Sequence, residues 1–295
     1  MTKLFAILGP TASGKSEVAL ELAAQRNAPI ISVDSMQVYR GMDIGTAKPS
    51  LQEQAGVPHF MIDLVEPEVD YSVAQFQVTV RDVISRHPEV FIVGGSGLHF
   101  RSVVDPLEFP PTDVELRAWL EGIADPVAAL VGADPRAGEV VDIHNPRRVI
   151  RALEILHLTG ETPSSRSRHP RRSDVERYEP LLPFRAVGFD PGPSIGDRIE
   201  ARVESMRKAG LWEEVARLRL RLGRTAAGAV GYRQLARAME GEVSPEQGWS
   251  LTKSATLALA RRQRTFFRRD PRIEWLPWEA DKQSRVTAAA KALGF

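Results

Sequence analysis

Short apolar runs alternate with helix-spaced patterns along the first third of the chain. Residues 4–8 are continuously apolar and stop at Gly9-Pro10. Between residues 16 and 25, Val18, Leu22 and Ala23 recur at helical spacing, so the spacing predicts strand, glycine-rich turn and helix, ending near Asn27. A second run, residues 30–33, ends on Asp34, and a third is expected at residues 60–64. Ser72 followed by Gln75 reads as a capping box opening a helix to about His87, after which residues 90–93 run into Gly94-Gly95-Ser96-Gly97. Strands that alternate with helices in this way predict a parallel sheet covered on both faces.

After Asp105 the pattern changes to proline punctuation and helices. Thr112-x-x-Glu115 reads as a capping box, Asp125-Pro126 and Asn145-Pro146 as caps followed by proline at the first helical position, and Gly160 as a helix stop. Residues 162–173 are polar and aperiodic, which predicts a mobile loop. From Ile195 the pattern is helical again, with Gly210 ending one helix, Ser244-Pro245-Glu246-Gln247 opening a long one, and a final strand at residues 273–276. The expected fold is α/β: a parallel sheet flanked by helices with a phosphate loop, a mainly helical insertion and a helical C-terminal part. The expected segments are 1–111 for the first part of the core, 112–185 for the insertion and 186–295 for the remainder.

Composition narrows the class without naming it. Of 295 residues 43% are hydrophobic and 26% charged, a globular balance. There is no cysteine, which excludes disulfides, thiolate metal sites and a cysteine nucleophile and predicts a cytoplasmic protein. The first apolar run is too short for a signal-peptide core or a membrane span, so no membrane association is expected. Net charge is +1, but residues 1–100 carry −4 and the rest +5.

Gly9-Pro10-Thr11-Ala12-Ser13-Gly14-Lys15-Ser16 fits G-x-x-x-x-G-K-[ST] in full, between an expected strand and an expected helix. Such a loop turns successive N–H groups and the helix N-terminus toward one anion, Lys15 adds a point charge, and the Ser16 hydroxyl can ligate Mg²⁺. By itself the motif serves nucleotide kinases, motor ATPases and transferases of diphosphate esters alike. Residues 90–93 lack the terminal carboxylate that P-loop ATPases use for Mg²⁺, whereas residues 30–33 end on Asp34, at the sheet edge where α/β sites lie.

From Ile31 to Pro49 the chain reads Ile-Ser-Val-Asp-Ser-Met-Gln-Val-Tyr-Arg-Gly-Met-Asp-Ile-Gly-Thr-Ala-Lys-Pro. That stretch resembles the tRNA dimethylallyltransferase family, as do residues 94–98, 147–154, 230–233 and 261–267, in the family's order. The resemblance implies transfer of a dimethylallyl group from its diphosphate to the exocyclic amine of adenosine at tRNA position 37, with Mg²⁺ as cofactor. It implies that the loop from Gly9 to Ser16 holds the diphosphate and that Asp34 is the general base. Ser96 stands where the family usually has Thr, and Arg117 matches an arginine placed beside the site. Asp34, Ser35, Met36 and Gln37 match the segment around the extruded adenine. Arg147, where Gln is commoner, Arg148, Arg151, Tyr232, Arg233, Arg261, where Lys is usual, Arg262 and Gln263 match positions that meet tRNA.

Charge points the same way on independent grounds. Residues 145–172 hold seven Arg and two acids, and residues 253–272 hold seven basic residues and one acid, as expected of a protein that grips an RNA stem from its back half. The expected partners are the tRNA anticodon stem-loop and dimethylallyl diphosphate, bound by a monomer. Two other readings stay open: a P-loop small-molecule kinase using ATP, with Arg166, Arg168, Arg171 and Arg172 as its lid, and an RNA-binding protein with a vestigial loop. His59, His99 and His144 are too scattered for a metal site and read as structural, and Trp275 and Trp278 read as packing.

Overall fold

The computed structural model describes residues 2–295, except for the side chains of residues 170–172. It divides into two compact units, one formed by residues up to Val104 together with those from Leu182, the other by Asp105–Leu181.

The larger unit begins β1 (Lys3–Leu8), α1 (Lys15–Arg26), β2 (Ile30–Val33), α2 (Leu51–Gly56), β3 (His59–Phe60), α3 (Val73–Ser85), β4 (Glu89–Gly94) and α4 (Gly97–Val104). The smaller unit is helical: α5 (Val114–Glu121), α6 (Pro126–Ala133), α7 (Ala137–Val140), α8 (Pro146–Thr159), α9 (Pro163–Arg166) and α10 (Pro170–Glu176). The chain then returns through β5 (Arg185–Phe189), α11 (Ile195–Lys208), α12 (Leu211–Leu218), α13 (Tyr232–Met239), α14 (Pro245–Arg268), β6 (Ile273–Leu276) and α15 (Lys282–Leu293). All six strands are parallel, in the order β3-β2-β4-β1-β5-β6.

Strand alternation splits the core into two layers. Leu4, Ala6, Leu8, Ile31, Val33, Val90 and Ile92 pack with Phe76 and Val80 of α3 and Phe100 and Val103 of α4. Phe5, Ile7, Ile30, Phe91 and Val93 pack on the other face with Val18 and Leu22 of α1 and Val286 and Leu293 of α15. The central strands β1, β2 and β4 are covered on both faces, so their sequences are nearly continuous apolar runs. A third cluster joins Val38, Tyr39 and Met42 to Leu211 and Val215 of α12 and Leu235 of α13.

The register sets where the chemistry emerges. Leu8 and Val33 both pair with Gly94, so Gly9, Asp34 and Gly95 leave three adjacent strands side by side. Gly94 is required there, since a Cβ would fall 2.4 Å from the Val33 carbonyl oxygen.

Several expectations are corrected. The third strand is only His59–Phe60, because Met61 and Asp63 turn to positive φ. The α5 cap is Asp113, whose carboxylate accepts the Leu116 N–H, rather than Thr112. Residues 162–173 are not one irregular loop: Thr162 caps the short α9, its hydroxyl accepting the Ser165 N–H, and α10 follows. The helical unit runs from Asp105 to Leu181 rather than over 112–185, since Arg151 ties the 110–111 carbonyls to α8, and residues 185–189 form a strand between β1 and β6. The capping boxes at Ser72 and Ser244, the Asp125 cap and the left-handed stop at Gly160 are as expected.

A candidate active site at the phosphate loop

A cavity of about 510 Å³ opens at the carboxyl edge of the sheet, lined by Thr11, Lys15, Ser16, Asp34, Ser96 and Arg202 among others. The loop that forms one wall enters through Gly9, φ 146°, where a Cβ would strike the Phe189 carbonyl oxygen. It leaves through Gly14, φ 82°, which caps α1. Between them Ala12 is held at φ 61°, an uncommon left-handed conformation for a non-glycine residue. Lys15 reaches back along the loop to donate to the Pro10 carbonyl at 3.2 Å. Burial and the neighbouring Arg202 push its pKa down to about 8, while Asp34 pulls it back up.

Asp34 and Lys15 are thus electrostatic neighbours although they sit on different strand ends. The Asp34 carboxylate accepts the Met36 N–H at 2.8 Å through Oδ1, which fixes the turn after β2. Ser35 and Met36 line the cavity beside it. Gln37 also lines the cavity, but its amide is committed to the wall: its Oε1 accepts from the Ser32 hydroxyl at 2.6 Å and its Nε2 donates to the carbonyls of Thr46 and Ala47. Ser96 places its hydroxyl 2.7 Å from His99 Nδ1. His99 is 8% exposed, with the Phe76 ring edge-on at 4.6 Å, and burial lowers its pKa to about 4 despite Asp34. The imidazole is therefore neutral near pH 7, and His99, read from sequence as structural, holds the Ser96 hydroxyl that lines the cavity.

Arg202 was missed because a lone arginine on an amphipathic helix carries no local signal. Projecting from α11 into the cavity, it interacts electrostatically with both Lys15 and Asp34. A smaller cavity of about 340 Å³ on the other side of Lys15 and Ser16 is lined by Ala12, Gly14, Glu17, Arg198 and the same Arg202. The loop cation and Arg202 therefore face both spaces.

The wall opposite the loop is held by a buried carboxylate. Glu214, 2% exposed, accepts the N–H groups of Asp43, Ile44 and Gly45 at 3.0–3.1 Å and the Tyr232 hydroxyl at 2.5 Å. Tyr232 is fully buried beneath Gly45, where a Cβ would lie 2.4 Å from its ring. The expected contact between Tyr232 and RNA is therefore corrected, since the side chain has no exposed surface to offer.

The basic residues divide on inspection. Arg151 donates through Nη1 to Glu154 at 2.6 Å and to the Pro111 carbonyl, and through Nη2 to the Pro110 carbonyl, so the RNA contact expected of it would compete with bonds inside the helical unit. Arg117 also pairs with fully buried Glu154 at 2.6 Å. Burial pushes the Glu154 carboxyl up, but donors from Arg117, the Asp113 N–H and Arg151 outweigh it, and the pKa falls. Arg147 and Arg148 remain exposed on α8, Arg148 within 3.6 Å of Asp142. On α14, Arg264 and Arg268 pair with Asp190, and beyond the helix Arg272 pairs with Asp270. Arg261 and Arg262 are exposed, as is Arg233 on α13. Gln263 instead faces the phosphate loop, its Oε1 accepting the Thr11 N–H at 2.8 Å. Of the supposed lid, Arg166 lies 3.7 Å from Glu161 and Arg168 donates to the Ser164 carbonyl, while the side chains of Arg171 and Arg172 lie outside the described residues.

Comparison with known proteins gives the family. The family model for IPP transferase matches residues 37–270, and that for isopentenyl transferase matches residues 2–69. The chain is 40% identical to the tRNA dimethylallyltransferase of Bifidobacterium longum, over 98% of this chain and 92% of that one. Its identity to the Streptomyces avermitilis enzyme of the same name is 41%, covering 93% and 90%. The crystal structure of the full-length tRNA isopentenylpyrophosphate transferase from Bacillus halodurans superimposes with a TM-score of 0.70 at 33% identity, covering 99% of this chain and 97% of that one. The matches run over nearly the whole chain and its parallel-sheet fold, and this chain belongs to the tRNA dimethylallyltransferase family of prenyltransferases.

Proposed function

We propose that the chain transfers a dimethylallyl group from dimethylallyl diphosphate to the exocyclic amine of adenosine 37 in the tRNA anticodon loop. The observation that carries the reading is one cavity in which a phosphate-loop lysine and Arg202 face Asp34. Two cations, with the loop N–H groups other than those of Thr11 and Ser13, which are bonded to Gln263 and Pro10, suit a diphosphate whose negative charge grows as the allylic C–O bond breaks. The adenine nitrogen forms the new bond to the allylic carbon, the C–O electron pair leaves on diphosphate, and the proton lost by nitrogen goes to the Asp34 carboxylate. The adenine must leave its stack to reach that carboxylate, and Ser35 and Met36 line the space that would receive it. Ser96 brings a hydroxyl to the same space, oriented by His99.

Magnesium fits this donor set. Among the described residues no cluster of three or more His, Cys, Asp or Glu side chains could hold a metal, so an ion would rest on the exposed Ser16 and substrate oxygens, as Mg²⁺ does at phosphate sites. Bound there it would neutralise part of the leaving-group charge. Arg147, Arg148, Arg233, Arg261 and Arg262 are exposed cations that could meet tRNA phosphates.

Incubating the chain with labelled dimethylallyl diphosphate, Mg²⁺ and unmodified tRNA tests the reading. Label should enter tRNA and map to adenosine 37. Consumption of ATP with a small acceptor and no label in tRNA would instead establish a kinase.

A further inference from the structure

The outer side of the phosphate loop is gripped by side chains from distant parts of the chain. Arg198 of α11 donates through Nε to the Ala12 carbonyl at 2.6 Å, and the Trp278 indole donates through Nε1 to the Ser13 carbonyl at 2.9 Å. Both guanidinium carbons of Arg198 and Arg285 lie over the Trp278 ring, 4.7 and 5.4 Å from its centroid. Arg285 is 3% exposed, donates to the carbonyls of Glu279 and Ala280 and to Glu17, and packs so near Gly14 that a Cβ there would lie 3.1 Å from its Nη2.

This arrangement has a consequence for the amides. A trans peptide is planar, with C=O and the following N–H pointing in opposite directions. Holding the Ser13 oxygen on Trp278 therefore aims the Gly14 N–H away from the tryptophan, while the Ser13 N–H, on the peptide whose Ala12 oxygen Arg198 holds, donates within the loop to the Pro10 carbonyl at 3.3 Å. Ala12 sits in a sparsely populated conformation, which persists only where surroundings determine it. Neither donor comes from the glycine-rich motif. Trp278 follows β6 and Arg198 lies on α11, 265 and 186 residues from their partners.

We propose that Trp278, with the guanidinium groups of Arg198 and Arg285 over its ring, is a positioning residue that presets the Gly14 amide of the phosphate loop for diphosphate. The inference rests on the reading of that loop as the diphosphate site. An anion would then meet donors already oriented, and the ordering cost is met in folding rather than in binding.

Calorimetric titration of the full chain with inorganic pyrophosphate tests it, beside tRNA affinity and a melting curve. Trp278→Phe keeps a ring for the two arginines and removes the N–H. It should weaken pyrophosphate binding about fivefold, the size of one net hydrogen bond, and leave tRNA affinity unchanged. Arg198→Met should act in the same direction and serves if Trp278→Phe does not fold. Pyrophosphate affinity within twofold of the unaltered chain, or an equal loss of pyrophosphate and tRNA affinity, would overturn the brace. Lys15→Ala keeps the two failures apart: if it binds pyrophosphate as the unaltered chain does, the diphosphate reading itself falls.

Discussion

Lys15 shows how a functional charge is held against its own stability. Burial and Arg202 bring its pKa from the ordinary 10.5 to about 8, so the folded state binds the proton less well than the unfolded chain. The sign follows: below pH 8 both states are protonated and the penalty is complete, and it is relieved as pH rises from about 8 to 10.5. Lys15→Met should therefore raise the melting temperature at pH 7, with the gain shrinking toward pH 10.5. Activity runs the other way. Lys15→Ala should lower turnover on the order of 10²-fold, as for loss of one oxyanion donor. In the unaltered chain the KM for dimethylallyl diphosphate should climb as pH rises through about 8, read from initial rates at fixed tRNA. Asp34 makes the complementary case. Asp34→Asn keeps an oxygen for the Met36 N–H, so tRNA binding should persist while single-turnover chemistry drops roughly 10²–10⁴-fold. Unchanged single-turnover rates would make Asp34 a turn residue only.

Among the elements, α12 and α13 matter through one buried group. Glu214 collects three backbone N–H groups from residues 43–45 and the Tyr232 hydroxyl, and burial beside this carboxylate raises the Tyr232 pKa far above its ordinary value. Charged acceptors that collect several donors are strong, and removing one partner leaves the others unpaired. Glu214→Gln turns one acceptor into a donor that faces N–H groups. It should destabilise the chain by about 3 kcal/mol in denaturant titration, whereas Tyr232→Phe should cost about 1–2 kcal/mol. Both should also raise the KM for substrate more than they lower kcat, because the displaced segment, with Gly45, Thr46, Ala47 and Lys48, lines the cavity. Equal loss of stability without a change in KM would confine Glu214 to the core.

For the whole molecule, charge becomes informative only after internal pairs are removed. Arg151, Arg264, Arg268 and Arg272 each pair with a carboxylate of the chain, while Arg147 and Arg148 are exposed on α8. Neutralising Arg147 and Arg148 together should weaken tRNA binding and flatten the slope of log affinity against log salt by up to about 1.4–1.8, with a normal melting curve. Arg151→Ala should do the reverse, lowering the melting temperature and leaving the slope alone, because it strips a partner from buried Glu154. A flattened slope for Arg151→Ala would return it to the RNA contacts. No helix among the described residues is long and apolar enough to cross a membrane.

What the amino-acid order determined by itself was local. Short apolar runs specified β1, β2 and β4, side-chain caps specified the starts of α3, α6 and α14, and the loop motif lay between a strand and a helix as required. These signals act over a few residues, through sterics, caps and helix spacing. β5 escaped because its run opens on exposed Arg185 and is broken by Gly188, which is needed beneath Trp275. Tertiary structure alone decided that Lys15, Asp34 and Arg202 share a cavity, that Tyr232 is buried, and that Arg198 and Trp278 grip the loop. Each of those outcomes depends on closing a long stretch of chain. Whether an arginine meets solvent, a carboxylate or a ring depends on what folding brings beside it, and its sequence neighbours carry no record of that.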